Sequence, residues 1–190
     1  MPKDLKLKIP PSIIGLAEDF KELLVPSSRF SGFSDASQKD RGTGDMMDLI
    51  GTMMVFKYLT SHGIAASANI TSGKGDVSDL CVFKHNRPVT FNIKTSRYKP
   101  YREGLNLFIK EEEVSKPADG YIQVFVHMEE EGEDPHVHIP GYFRTSWAMW
   151  EEHSARLKII PYTDGHRGAK IPIEELQDIR RMLEVFDERL

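Results

Sequence analysis

Two strand-like runs joined by a short turn constrain this chain more than any other feature. Val77-Ser78-Asp79-Leu80-Cys81-Val82-Phe83 leads into Lys84-His85-Asn86-Arg87-Pro88, and Val89-Thr90-Phe91-Asn92-Ile93-Lys94-Thr95-Ser96 follows. The link is rich in turn formers, which predicts a hairpin whose second strand runs back antiparallel to the first. Side chains alternate faces along a strand, so Asn92 and Lys94 share one face while Ile93 points into the opposite layer. A turn centred near Asn86 sets Asp79 across from residue 92, 93 or 94, and only the even partners bring all three polar side chains together. A slip of one residue would invert the face, so the sequence leaves the register open. In the even register, sheet geometry holds an acid, an amide and a lysine within roughly 5–8 Å of one another.

This arrangement resembles the PD-(D/E)XK superfamily, the restriction-endonuclease-like nucleases, whose pattern is an Asp, a gap, then Glu/Asp-x-Lys. Ser78-Asp79 stands for the Pro-Asp of that pattern and Asn92-Ile93-Lys94 for its Glu-x-Lys. The departure is Asn92, where the family usually has an acid, although amide variants occur in it. The order of elements over residues 44 to 127 supports the resemblance: a helix stopping at Gly63, a strand-like Ile64 to Ile70, the Gly-rich approach Ser72-Gly73-Lys74-Gly75-Asp76, and then the hairpin. It implies an α/β fold with a restriction-endonuclease-like core, a mixed sheet centred on the 79 to 94 hairpin and helices on both faces. Ala118-Asp119-Gly120-Tyr121 and Pro140-Gly141-Tyr142 also look like small phage or mobile-element members of the superfamily.

The resemblance implies Mg²⁺-dependent hydrolysis of DNA phosphodiester bonds, with Mn²⁺ as a substitute. A phosphodiester and its attacking hydroxide are both anionic, so a hard cation held by oxygen ligands must screen them and lower the pKa of its water. Asp79 would be the principal metal ligand and Asn92 a weaker one, since an amide offers a carbonyl oxygen but no negative charge. Lys94 would position the nucleophilic water and stabilise charge building on the phosphate. A compensating acid is expected upstream. Thr43 to His62 reads as a helix with a broad apolar surface, and Asp45 and Asp48 share one side of its first turns. The family often draws an acid from such a helix, which makes Asp48 the candidate, with surface decoration as its plain alternative. Asp45 reads as a helix-start charge favoured by the dipole, and Asp76 as a turn former that could add a second acid.

Arg97-Tyr98-Lys99-Pro100-Tyr101-Arg102 interleaves cations with aromatics directly after the motif. Cations contact phosphates and tyrosine faces stack on bases, so Arg97, Tyr98, Lys99, Tyr101 and Arg102 form a candidate DNA-binding edge, against the plainer reading of a solvated loop. Double-strand cutting, branched-DNA resolution and end trimming all use this core. Two-strand cleavage commonly employs two copies of such a site, which makes a homodimer a candidate assembly. Two rival readings stand beside the nuclease. One is a catalytically degenerate DNA-binding or assembly protein that kept the fold and lost the acid at Asn92; the other is an unrelated α/β interaction domain. A lysine at a strand end ordinarily just snorkels to water.

With 190 residues, 39% hydrophobic and 28% charged, the chain fits one compact unit, read as an N-terminal helix and flexible segment over 1 to 43 and a nuclease-like domain over 44 to 190. A formal charge of −4 argues against broad nonspecific wrapping of nucleic acid but permits a local basic cleft. The single cysteine, Cys81, makes no internal disulfide and reads as a buried thiol. No signal-like or membrane-length apolar run occurs, so a cytoplasmic location without membrane partners is expected, the host cytoplasm if the chain is phage-encoded. Full phosphate-loop and dinucleotide-binding spacings are absent, which excludes a nucleotide cofactor on those folds, and no Gly-x-Ser-x-Gly elbow appears.

The flanking elements follow from periodicity. Ser12 to Leu24 reads as an amphipathic helix, Val25 to Gly44 as a linker or substrate-side loop, Leu105 to Ile109 as a strand, Glu111 to Lys116 as a helical turn and Gly120 to His127 as a strong strand. His136-Val137-His138 places two imidazoles on one strand face, a spacing that can hold a transition metal. Without a third ligand nearby they read as surface histidines. Ser146 to Ala155 reads as a helix anchored by Trp147 and Trp150, and Ile173 to Leu190 as a closing amphipathic helix.

Overall fold

The computed structural model describes residues 5–24, 35–69, 78–97, 105–115, 118–128, 132–145, 159–161 and 167–186, with 21–24, 35–45, 97, 112 and 115 described by backbone alone. The fold is mixed α/β. Strands Leu5–Lys8 (β1), Ala66–Ala68 (β2), Leu80–Lys84 (β3), Arg87–Arg97 (β4), Gly120–His127 (β6) and His136–Arg144 (β7) form a six-stranded sheet in the order β1-β7-β6-β4-β3-β2. The β4–β6 pair is parallel and its neighbours are antiparallel. Asn106–Lys110 (β5), Ile160–Pro161 (β8) and Arg167–Pro172 (β9) make a second, three-stranded sheet in the order β5-β9-β8.

The β3–β4 turn is the two-residue loop His85-Asn86, with φ of 48° and 58°. Two consecutive left-handed residues match the twist of the flanking strands, which suits a tight hairpin. The loop closes on the Lys84↔Arg87 pair and so sets the register of everything behind it. The parallel β4–β6 register is tied by Asp119, whose Oδ2 accepts the Thr90 backbone N–H and hydroxyl, both at 2.8 Å.

One face of the large sheet is apolar. Leu80, Val82, Phe91, Ile93, Ile122, Val124, Val126, Val137 and Ile139 point into a core shared with the helices Pro11–Leu24 (α1), Asp35–Ser61 (α2) and Arg180–Phe186 (α4). Helix α2 crosses β4 and β6 at Gly51, where an added Cβ would collide with Thr95 Cγ2 and touch Val124 at 3.6 Å. It ends where expected. Gly63, at φ 83°, takes the left-handed position that glycine adopts without penalty, the Ile64 N–H reaches the Leu59 carbonyl at 3.1 Å, and the Gly63 N–H reaches that of Thr60 at 3.0 Å.

The other face, expected to carry helices too, is covered among the described residues mainly by a small sheet and one short helix. Leu107, Ile109, Ile171 and Ile173 of the small sheet and its edge pack with Leu176 against Tyr121, and Val114 of the short helix Glu111–Ser115 (α3) joins them. A small sheet therefore supplies most of the second layer among the described residues. Much of the remainder of that face, among the described residues, is polar.

Several local expectations shift. Helix α2 opens at Asp35, ahead of the expected Thr43, so Asp45 lies well inside it and is not a helix-start charge. The strand expected over Ile64 to Ile70 pairs only over Ala66–Ala68, Ile70 lying outside the described residues. The helix expected over Ile173 to Leu190 is interrupted: a 3-10 turn at Ile173–Glu175 gives way to an extended Leu176 with ψ of 143°, because Gln177 exchanges two backbone hydrogen bonds with Tyr142 of β7. Helix α4 then restarts behind Asp178, whose Oδ1 accepts the Arg180 N–H at 2.9 Å as an N-terminal cap. At the other end of the chain, β1 forms an edge of the large sheet and α1 packs on α2. No helix among the described residues is long and apolar enough to cross a membrane.

Candidate active site

The hairpin register is an even one. Leu80 pairs with Phe91, so one step further toward the strand end Asp79 faces Asn92. The Ile93 N–H donates to Asp79 Oδ2 at 2.8 Å, and the Asn69 N–H donates to the Asp79 carbonyl at 2.9 Å. The carboxylate is thereby pinned against β4. In the parallel ladder Asn92 lies beside Tyr121 and Lys94 beside Gln123. Asp79, Asn92, Lys94, Tyr121 and Gln123 thus share the polar face, and Ile93 points into the apolar core as alternation requires.

Lys94 does not run out to water. Its Nζ lies 2.5 Å from Glu113 Oε1, both side chains being about four-fifths buried, and 5.9 Å from the centre of the Tyr121 ring. Glu113 sits at the third position of α3, and its second oxygen accepts the Lys110 N–H at 3.0 Å. That is the helix-capping return bond of a third-position glutamate. One carboxylate therefore caps α3 and meets the lysine of β4. The Tyr121 hydroxyl donates to the Glu113 carbonyl at 3.4 Å, and burial, then the Glu113 charge, pushes its pKa up.

Burial also raises the Asp79 pKa above the usual carboxylate range; the Ile93 N–H and Lys94 pull it down, and Glu113 pushes it up. Two carboxylates thus act on each other around one lysine. Repulsion of that kind is what a cation held by oxygen ligands relieves, and Asn92 stands on the same face.

Asp48, the upstream acid expected from the sequence, is exposed on α2, the helix packed on the apolar face. The acid in contact with Lys94 is Glu113 instead. Its signal in the sequence is only the Glu111-Glu112-Glu113 run at a helix start, which the dipole already accounts for. The Lys94–Glu113 contact depends on how the small sheet docks, which periodicity does not encode. Arg97 ends β4, while Tyr98, Lys99, Tyr101, Arg102 and Asp76 lie outside the described residues, as do Trp147 and Trp150. Cys81 is half-buried on the polar side of β3, and burial raises its pKa, which keeps it a thiol at neutral pH.

The same face carries a second group further along β6. His136 and His138 are not surface histidines: His136 is 4% exposed and His138 half-buried. Opposite His136 stands His127, 6% exposed, with ring centres 4.1 Å apart and planes 16° from parallel. Burial and the neighbouring imidazoles depress the His127 pKa to about 4 and also lower that of His138. The unfolded chain therefore binds a proton at His127 that the folded chain refuses between about pH 6.5 and 4. In chelator-treated protein, stability is expected to fall as pH drops through that window, by up to about 3 kcal/mol from this residue. A His127→Leu variant should show a flatter profile of melting temperature against pH. Parallel profiles for the two proteins would refute this assignment.

The sequence matches no protein-family model and no curated protein.

Proposed function

We propose that this chain is a metal-dependent DNA endonuclease with a restriction-endonuclease-like core. The observation that carries this reading is the convergence of Asp79, Asn92 and Lys94 on one polar face, with Glu113 joined to Lys94. The fold order supports it as well: a helix precedes the hairpin, and a parallel third strand extends the polar face beside β4. Glu113 takes the role of compensating acid for Asn92, in place of Asp48.

In this reading Asp79, Glu113 and the Asn92 carbonyl oxygen hold Mg²⁺, with Mn²⁺ as substitute. The cation supplies positive charge to the phosphodiester and acidifies water at neutral pH. The residues of the chain do the rest. The Ile93 N–H holds the Asp79 carboxylate in place, so that little reorganisation is needed on binding. Lys94 presents its ammonium to the phosphate oxygens and orients the attacking water, while Tyr121 and the small sheet shield it from bulk solvent. The Arg97 to Arg102 segment, which follows Lys94 closely in the sequence, is the proposed source of phosphate and base contacts.

The test is incubation of the purified chain with supercoiled, linear and branched DNA in EDTA, Mg²⁺ or Mn²⁺, beside Asp79→Ala and Lys94→Ala. Cleavage should require metal and drop by about 10²–10³-fold in each variant, the usual cost of removing one preorganised charge. Undiminished cleavage in both variants would refute the site. DNA binding without cleavage in every condition would favour the degenerate DNA-binding reading, for which Asn92 in the acid position is the specific observation.

A further inference from the structure

We propose that His127, His136 and His138 form a second metal site, for a divalent transition metal of the zinc class, separate from the oxygen-lined site at Asp79. One ligand atom from each imidazole lies within 4.8 Å of the others. The ring centres are 4.1 Å apart for His127 and His136 and 5.1 Å for each pair that includes His138. Three imidazoles at that spacing, two of them buried, make a nitrogen donor set of the kind that a transition-metal cation takes.

The sheet builds this cluster by a bulge. At the start of β6, Gln123 pairs with Gly141, whereas further on Phe125 pairs with His138 and His127 with His136. One extra residue on β7, around Ile139 and Pro140, is thus absorbed opposite Val124. Proline is at home in such an irregularity, because its missing N–H interrupts the ladder there anyway. Without the slip, the Gln123 register would carry His136 and His138 to the face opposite His127. The bulge brings all three to one side.

The surroundings fit a metal ligand set. His136 Nδ1 lies 2.8 Å from the Asp134 carbonyl. An N–H donated there leaves Nε2 with its lone pair for a metal, the usual outer-partner arrangement of ligating histidines. The pairing of β1 with β7 sets Lys6 beside His138 and Lys8 beside His136. Both cations are matched by acids, Lys6 by Glu133 at 3.0 Å and Lys8 by Asp134 at 2.6 Å, and Glu133 Oε2 also stands 3.7 Å from His136 Nδ1. The local charge is therefore balanced before a cation enters. Tetrahedral zinc at its ordinary bond length needs nitrogens roughly 3.3 Å apart with converging lone pairs, so His127 and His136 must turn out of their stacked arrangement for both to reach one ion.

Neutral nitrogen donors select zinc, cobalt, nickel or copper over magnesium. Three protein ligands leave a fourth position for water. The site is independent of the candidate active site: Gln123, beside Lys94, and His127 are four residues apart on β6, roughly 13 Å. That separation excludes a shared two-metal centre, whose ions stand about 4 Å apart.

The decisive experiment titrates the chelator-stripped full chain with Co²⁺, read by its visible absorption, and with Zn²⁺, read by calorimetry, in buffer containing Mg²⁺. One equivalent of Co²⁺ with the intense bands of a four-coordinate site, displaced by Zn²⁺, is the expected result, together with a rise in melting temperature. His138→Gln should weaken Co²⁺ binding at least about 100-fold, beyond the loss of a mere outer partner. Asp79→Ala and Lys94→Ala should leave it unchanged, so failure of the nuclease reading and failure of this one are distinguishable. A wild-type chain that binds neither ion stoichiometrically overturns the proposal whether or not the variants fold, and so does binding that survives His127→Gln and His138→Gln but is lost in Asp79→Ala.

Discussion

Asp79→Asn is expected to act in two opposite directions, lowering Mg²⁺-dependent DNA cleavage by about 10²-fold or more while raising the melting temperature at neutral pH. The loss of activity follows from removing negative charge where the proposed cation binds. The gain in stability follows from linkage. Burial raises the folded-state pKa of Asp79 above its unfolded value, so its contribution to stability is fully present below the unfolded pKa and lost as pH rises through the folded one. At neutral pH the charged carboxylate is therefore a cost. Asparagine removes that cost and still offers an oxygen to the Ile93 N–H. The gap between the two proteins should close as pH falls below the ordinary carboxylate range, where both side chains are neutral. Added Mg²⁺ should restore the wild type toward the variant, since a ligand that binds only the folded state stabilises it by about 1.4 kcal/mol at ten times its dissociation constant. A variant less stable than wild type at neutral pH would show that Asp79 serves the hairpin rather than a ligand.

Phe91→Ala should be the most destabilising single truncation near the site. Phe91 is fully buried on β4 directly before Asn92, and its ring meets Tyr142 at 6.3 Å and Phe186 at 6.1 Å, both edge-on at 76°. Beneath it, Gly120 leaves no room: an added Cβ there would stand 2.5 Å from the ring. Strand, sheet neighbour and C-terminal helix thus close around one side chain, and little of the space could collapse after truncation. A loss of about 3–5 kcal/mol is expected, at the upper end because two aromatic pairs go with it. Against the roughly 5–15 kcal/mol that holds a domain folded, that is a large share, read as a fall in melting temperature on the order of 10 °C. A loss below about 1 kcal/mol in denaturant titration would refute close packing here.

Local chemistry made much of the hairpin legible. The turn formers around Asn86 and the alternation of Asn92, Ile93 and Lys94 name a face from sequence alone, and Gly63 marks the end of α2 because few other residues take its backbone conformation at no cost. Less was legible where two preferences competed. The run from Ile173 onward has helical periodicity, but pairing of Gln177 with Tyr142 holds the chain extended until Asp178 can cap a new start. Backbone hydrogen bonds to a neighbouring strand outweighed propensity there.

Residue order set which residue types could share a face, because alternation and turn conformation are properties of a few consecutive residues. It left the hairpin register open, and the two-residue loop His85-Asn86 closed that question by bringing Asp79 beside Asn92. Tertiary structure alone decided which acid meets Lys94 and which histidine joins His136 and His138. Glu113 reaches Lys94 through docking of the small sheet on the large one, and His127 meets the other two through a bulge opposite Val124. Both are contacts between segments distant along the chain, set by how whole layers pack and by one inserted residue, and no local periodicity carries either.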